Sequence, residues 1–263
     1  MKRILTALAA LALIAGTAVP SLAGMLDDIR SRGTVRIGVS LGGEPIGFRD
    51  EQNNPVGYDV DVAKLLAEKL GVPYEFTDVS GDARISMLVS GQLDIVVANT
   101  SATLERAKSV DFTIPYNRAG LRIIVQADSG IKSLEDLAGK KVLVGRGTTG
   151  ETFIKKAAPK AELVYVDTFA PDGVLQLQQK RVDAAIEDSS LLDYLATKNP
   201  SLVTLPGLYS NDPISIAIAK GDPEFVRWLD MFVSEYIQSG AYEANYKKWW
   251  GETANPPRLN PLW

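Results

Sequence analysis

From residue 34 onward the chain alternates short apolar runs with longer segments of helical period. Thr34 to Ser40 carries Val35, Ile37 and Val39 on every second position, which predicts a strand. Gly57 to Gly71 is the clearest helix. Val62, Leu65, Leu66 and Leu70 nearly follow its period, Asp59 and Asp61 stand at its amino end, and Gly71 closes it. Tyr74 to Val79 predicts a second strand and Asp82 to Ser90 a second helix. Leu93 to Ala98 is apolar throughout, as a buried strand is. Strand, helix, strand, helix, strand in this order implies a parallel sheet with helical crossovers, an α/β fold.

A second series repeats that logic without repeating the sequence. Strands are expected at Leu121 to Gln126, Lys141 to Val144, Ala161 to Val166 and Val182 to Asp188. Between and after them come a short capped helix at Ser133 to Gly139 and helices ending near Ala158, Lys180 and Lys198. Ile214 to Lys220 predicts a strand, Pro223 to Gln238 an amphipathic helix, and Tyr242 to Trp250 a last helix. Glu252 to Trp263 is rich in Pro and is expected to be loosely held. Asp59 and Asp61 read as capping and dipole partners of their helix rather than as catalytic carboxylates. Trp228, Trp249 and Trp250 read as core packing rather than an aromatic binding box.

The amino terminus changes the picture. Met1-Lys2-Arg3 precedes an apolar run from Ile4 to Val19 and small residues up to Ala23. Residues 1–23 are therefore expected to be a secretory signal peptide cut after Ala23, with a soluble, periplasmic product. Its removal leaves 26 Lys and Arg against 32 Asp and Glu, a net charge of −6. That balance argues against nucleic acid or an anionic membrane as partner. The chain has no Cys and no His. Ser-His-Asp catalysis, Cys nucleophiles and the usual zinc sites are excluded, and no cofactor or metal is expected.

Candidate chemistry collects where strands end. After the strand 93–98 come Asn99-Thr100-Ser101-Ala102-Thr103 and then Arg106, with Thr103 placed to cap a short helical piece. Ligands of open α/β sheets bind outside the carboxyl ends of the strands, and Arg offers a planar fork for a carboxylate. Arg106 and Ser101 are thus candidates to hold the carboxylate of a small ligand. Gly145-Arg146-Gly147-Thr148-Thr149-Gly150 is a Gly-rich strand-to-helix turn. It lacks the Lys-Ser/Thr ending of a P-loop, yet its amides at a helix start suit an anion.

Taken together these motifs resemble the amino-acid-binding proteins of bacterial ABC importers, the family 3 extracellular solute-binding proteins. The resemblance rests on Gly57-Tyr58-Asp59-Val60-Asp61-Val62, Thr103-Leu104-Glu105-Arg106, Asp111-Phe112-Thr113-Ile114-Pro115-Tyr116, Gly147-Thr148-Thr149, Arg181-Val182-Asp183-Ala184-Ala185 and Tyr246-Lys247-Lys248-Trp249-Trp250-Gly251. It implies a two-lobed fold joined by two crossover strands, with residues 25–115 and 217–263 in lobe one and 118–211 in lobe two. It implies a monomer that delivers an amino acid to permease subunits in the inner membrane, and no catalysis. Carried onto this chain, Arg106 and Ser101 clamp the ligand's α-carboxylate, and Thr149 with the amides around Thr148 closes on it from lobe two. Asp188 takes the α-ammonium, assisted by the Asn99 carbonyl. An Arg at the place of Arg84 meets a side-chain carboxylate in relatives that take acidic amino acids, so glutamate or aspartate is the leading candidate. The alternative partners for Arg84 are Glu44 and Asp82. Many relatives carry an aromatic in the first loop, where this chain has Gly42-Gly43-Glu44.

Cyclohexadienyl dehydratases share this fold and form the alternative reading, since fold alone does not fix function. They carry a Glu just downstream of the place of Asp188, where this chain has Ser189, Ser190 and Leu191. Glu187 is adjacent but, by strand alternation, is expected to face away from Asp188.

Overall fold

The computed structural model describes residues 24–167, 169–170 and 172–262, so the expected signal peptide lies outside the described residues. The first elements are α1 (Met25–Arg32), β1 (Val35–Val39), β2 (Phe48–Arg49), β3 (Pro55–Val56), α2 (Tyr58–Leu70), β4 (Tyr74–Asp78), α3 (Ala83–Val89) and β5 (Ile95–Val96). Then come β6 (Val110–Ala119), β7 (Leu121–Gln126), β8 (Lys141–Gly145), α4 (Thr149–Ala157), β9 (Glu162–Val166), α5 (Asp172–Gln178), β10 (Ala184–Asp188) and α6 (Ser189–Lys198). The chain closes with β11 (Leu202–Thr204), β12 (Asp212–Ala219), α7 (Pro223–Gln238) and α8 (Ala241–Trp250).

The strands form two five-stranded sheets, ordered β4-β1-β5-β12-β6 and β11-β7-β10-β8-β9. In the first, β4, β1 and β5 run parallel and β12 joins antiparallel. In the second, β9, β8 and β10 run parallel and β7 joins antiparallel. Strands buried on both faces divide their side chains between two cores. Ile95 and Val97 enter one cluster and Val96 and Ala98 the other. Val142 and Val144 likewise separate from Leu143. Each sheet is therefore covered on both sides and makes its own lobe. β6 and β12 pair along their length, with register shifts on either side of Ser215, and connect the two lobes.

Helix α7 shows how the pattern becomes packing. Phe225, Leu229, Phe232, Val233 and Tyr236 recur at helical spacing and are all buried. Each such side chain is worth about 1.5–3 kcal/mol of apolar burial. Asp222 caps the helix by accepting from the Phe225 amide at 2.8 Å.

Several elements differ from the sequence expectation. α1 carries a single buried side chain, Ile29, too little period to be legible. The piece after Thr103 is one 3-10 turn, Arg106–Lys108, because Leu104 stays 91% exposed and offers no apolar face. Thr103 does cap it, accepting from the Arg106 amide at 3.2 Å. Residues Glu135–Leu137 also form only a 3-10 turn. α2 is entered through Gly57, and neither acid caps it. Asp59 turns inward, and Asp61 accepts from Lys248 and Trp249. The Pro-rich tail is pinned rather than loose. Leu259 is buried in the first core, Tyr242 donates to the Pro257 carbonyl, and the Leu262 amide donates to Ser234.

Candidate functional site

The parallel strands of both sheets point their carboxyl ends at one cleft between the lobes. Ser40 follows β1, Asn99 and Ser101 follow β5, Thr148 and Thr149 follow β8, Asp167 and Phe169 follow β9, and Glu187 and Asp188 end β10. Arg84 from α3 and Arg106 complete the wall, with Ile46 and Leu191 as apolar lining. The cleft is partly open to solvent, and the cavity within it is about 70 Å³, room for a small molecule only. All seven residues expected from the sequence, Arg84, Asn99, Ser101, Arg106, Thr148, Thr149 and Asp188, line this cleft.

At one end of the cleft, Arg106 donates through Nη1 to the Ser101 carbonyl at 2.9 Å and through Nη2 to the Gly147 carbonyl across the cleft at 3.1 Å. Burial and the nearby Arg84 pull its pKa down to about 10, so it stays cationic at neutral pH. Thr148 caps α4, accepting from the Glu151 amide and donating to the Gly145 carbonyl. Thr149 and Gly150 stand at the amino end of α4, where a helix supplies no acceptor for their amides.

On the opposite side Asp188 is 5% exposed and accepts one hydrogen bond, from Asn99 Nδ2 across the cleft at 2.6 Å. Asp188 Oδ1 and Asn99 Oδ1 are both buried with no donor. Burial first, then Glu187 and Asp212, push Asp188 well above the usual carboxylate range. Asn99 holds φ 46°, a left-handed backbone uncommon outside Gly. Its own carbonyl accepts from Arg84 at 3.3 Å.

Glu187 lines the same cleft as Asp188, contrary to the alternation argument. Asp188 is both the last residue of β10 and the N-cap of α6, so strict two-residue alternation ends there. Glu187 Oε2 accepts from the Asp188 amide at 3.2 Å, and burial raises its pKa while Arg84 and Arg106 oppose the rise.

Arg84 is 8% exposed, and its contacts are to the protein. Nη1 donates to the Ala98 carbonyl at 2.6 Å and more weakly to the Asn99 carbonyl and Thr100 Oγ1. It pairs with neither Glu44 nor Asp82. Glu44 accepts from the Tyr194 hydroxyl and Asp82 from the Ser80 hydroxyl. The aromatic missing from the first loop has a counterpart that the sequence reading overlooked. Phe169, 5% exposed, reaches the cleft from lobe two. The signal was present, since Phe169 stands just past the carboxyl end of a strand.

The lobes touch. Besides the Arg106 and Asn99 bridges, the Ala170 amide donates to Gly42 and Trp250 Nε1 donates to Ser190. A Cβ on Gly81 would lie 2.5 Å from the Arg146 carbonyl oxygen, so that approach requires glycine. Trp228 and Trp249 pack with Trp250 against the first core.

Residues 35–252 match the family model described as bacterial extracellular solute-binding proteins, family 3. The L-cystine-binding protein TcyJ of Escherichia coli strain K12 is 29% identical over 255 residues, covering 95% of this chain and 96% of TcyJ. Among solved structures, an ancestral arginine-binding protein bound to glutamine is 39% identical with a TM-score of 0.78, covering 84% of this chain and 99% of that one. An ancestral amino acid-binding protein, AncCDT-1, described as a precursor of cyclohexadienyl dehydratase, is 37% identical with a TM-score of 0.80, covering 86% and 99%.

Proposed function

This chain belongs to the bacterial extracellular solute-binding proteins of family 3, and from that premise we propose that its cleft takes a free polar amino acid for an ABC importer. Arg106 receives the α-carboxylate, with Ser101 beside it and the amides of Thr149 and Gly150 closing from lobe two. Asp188 and Asn99 receive the α-ammonium. The observation that carries this reading is the pair of buried oxygens without donors, Asp188 Oδ1 and Asn99 Oδ1. Buried polar atoms in native proteins are nearly always paired, and an ammonium brings the donors these two lack. A zwitterion set between Arg106 and Asp188 meets an opposite charge at each end.

The side-chain end of the cleft favours a neutral or cationic group over the acidic one expected from Arg84. Arg84 is committed to the carbonyl end of β5. Once a zwitterion has engaged Arg106 and Asp188, Glu187 and Asp167 remain in the wall against Arg84 alone. Phe169 supplies an apolar face there. The protein works as a monomer in the periplasm, exported by its first 23 residues, and hands its ligand to inner-membrane permease subunits. Among the described residues no helix is long and apolar enough to cross a membrane.

A thermal-shift screen over the common amino acids and cystine tests this reading, followed by calorimetry with Arg106→Ala. That variant should lose binding by a factor of at least tens, since a charged partner of this kind is worth about 2–5 kcal/mol. Wild-type affinity in Arg106→Ala would move the site elsewhere. Because Glu187 does face the cleft, the dehydratase alternative is tested directly. Purified protein should form neither phenylpyruvate from prephenate nor phenylalanine from arogenate.

A further inference from the structure

The turn that lobe two presents to Arg106 is held by an acid outside the cleft. Glu151 stands in the first turn of α4, with its side chain 14% exposed. Its Oε2 accepts from the Gly147 amide at 2.7 Å. The carbonyl of the same Gly147 is the group that accepts from Arg106 Nη2 across the cleft at 3.1 Å. Glu151 Oε1 is occupied separately, by the Tyr165 hydroxyl at 3.0 Å and Lys155 Nζ at 2.6 Å. One carboxylate therefore ties β9 and α4 to the residue that Arg106 grips. Arg146, just before that residue, lies over the Tyr165 ring at 4.3 Å, and its amide donates to the Val166 carbonyl at 3.2 Å.

Helix capping alone does not account for this arrangement. In a capping box the N-cap Ser or Thr accepts from the third helical amide, and the acid at that third position returns to the N-cap amide. Thr148 meets the first half, accepting from the Glu151 amide at 3.2 Å. The return bond of Glu151 goes one residue further out, to Gly147. That residue holds φ 72°, a left-handed backbone that favours Gly, and a Cβ on it would lie 2.8 Å from Asp82 Cα in lobe one. Gly147 thus meets lobe one twice, at Asp82 and at Arg106. Without a side chain, its place is set by its backbone partners, and the Glu151 carboxylate is the partner of its amide.

We propose that Glu151 is the positioning residue for the carboxylate end of the cleft, holding the Gly147 peptide where its carbonyl seats Arg106 and leaves the other N–H groups of the guanidinium for the ligand. This rests on the reading of Arg106 as the partner of the ligand's carboxylate. Of the Arg106 donors, one goes to the Ser101 carbonyl in its own lobe and one to Gly147 in the other. A fork anchored through both terminal nitrogens is aimed before the ligand arrives, and preorganisation of this kind lowers the cost of binding. Glu151 does not line the cleft and acts only through the Gly147 backbone.

The test is calorimetry with L-arginine, L-glutamine, L-cystine and L-glutamate on variants that separate reach from charge. Glu151→Gln keeps the length and an acceptor oxygen for the Gly147 amide but loses the charge. Glu151→Asp keeps the charge at the helix start but is one methylene shorter and does not reach. For the amino acid that wild type binds, affinity should stay within about threefold in Glu151→Gln and fall about tenfold or more in Glu151→Asp, which loses the bond to the Gly147 amide. A role confined to the stability or dipole of α4 gives the opposite order, because the first turn of a helix favours Asp over a neutral residue. Lys155→Ala, which removes an exposed ion pair and leaves the Gly147 bond, should bind within about twofold of wild type. An affinity in Glu151→Asp less than about threefold below that of Glu151→Gln would overturn the proposal. If Glu151→Asp does not fold, Glu151→Ala replaces it with the same threshold. Arg106→Ala separates the two readings. Loss of binding there, with the Glu151 variants failing the threshold, removes this inference alone. Wild-type affinity in Arg106→Ala, or binding of none of these amino acids by wild type, removes the site reading and this inference with it.

Discussion

Two aspartates of this protein are equally buried and oppositely furnished. Asp94 is 1% exposed and accepts from the Arg36 amide at 2.8 Å, from Arg36 Nη2 at 2.6 Å and from Arg32. Asp188 is 5% exposed, has one neutral donor, and leaves Oδ1 unpaired beside a second acid. Burying a charge is costly unless it is paired and hydrogen-bonded. The first site meets that requirement from within the chain, and the second does not. Satisfaction, rather than burial or residue type, separates the acid that builds lobe one from the acid that lines the cleft.

Substitution should break the comparison cleanly. Asp188→Asn is expected to have the largest effect on affinity, a loss of about a hundredfold or more, since in the proposed binding mode it removes the charge that meets the ligand's ammonium. Its melting temperature at pH 8 should hold or rise. A carboxylate whose folded pKa is raised lends stability in acid and loses it as pH climbs, so the charged form is the costly one. A fall in both melting temperature and affinity would make Asp188 structural. Asp94→Asn should do the reverse. Both its arginines are about one third exposed, so the loss is about 2 kcal/mol, below that of a fully buried pair. Denaturant titration would read this, with ligand affinity kept within about twofold.

A smaller change sharpens the role of the cleft as a moving part. Gly81→Ala puts a methyl where the Arg146 carbonyl sits when the lobes meet. Affinity should fall about tenfold with the melting temperature of the unliganded protein nearly unchanged. An unaltered dissociation constant would mean that the lobes need not approach this closely. The smallest expected effect concerns pH. Asp59 titrates at about 7 in the fold against an ordinary value of 3.8. Its contribution to stability is complete below about pH 4 and disappears as pH rises through about 7. The melting temperature of wild type relative to Asp59→Asn should therefore drop by a few degrees between pH 5 and pH 8. A difference independent of pH would show that Asp59 does not carry this titration.

The elements with a clear period were legible beforehand: α7 was read residue for residue, and β1, α2 and β10 within two residues at each end. So was the rule that chemistry gathers at strand ends, which brought the expected residues into one cleft. What was not legible depended on direction rather than on residue type. Sequence placed Arg84 at the cleft but could not show its Nη1 turned to the Ala98 carbonyl. It placed Glu187 on a strand, and alternation misled because the strand becomes a helix one residue later. The tail looked loose because Pro forbids regular structure, yet Leu259 finds the core without any.

The loop after β5 has a mechanical consequence. Its backbone is sewn to β12 by the Ser215 amide on the Thr100 carbonyl and the Ala102 amide on the Pro213 carbonyl. Ser101 and Arg106 thus travel with lobe one and a connecting strand as one stiff plate, whereas Asp188 travels with lobe two. In the proposed binding mode each end of the ligand is held from both plates, the carboxylate by Arg106 and the Thr149 amide, the ammonium by Asn99 and Asp188. Departure is then a single unfastening, in which parting the plates would loosen both ends at once.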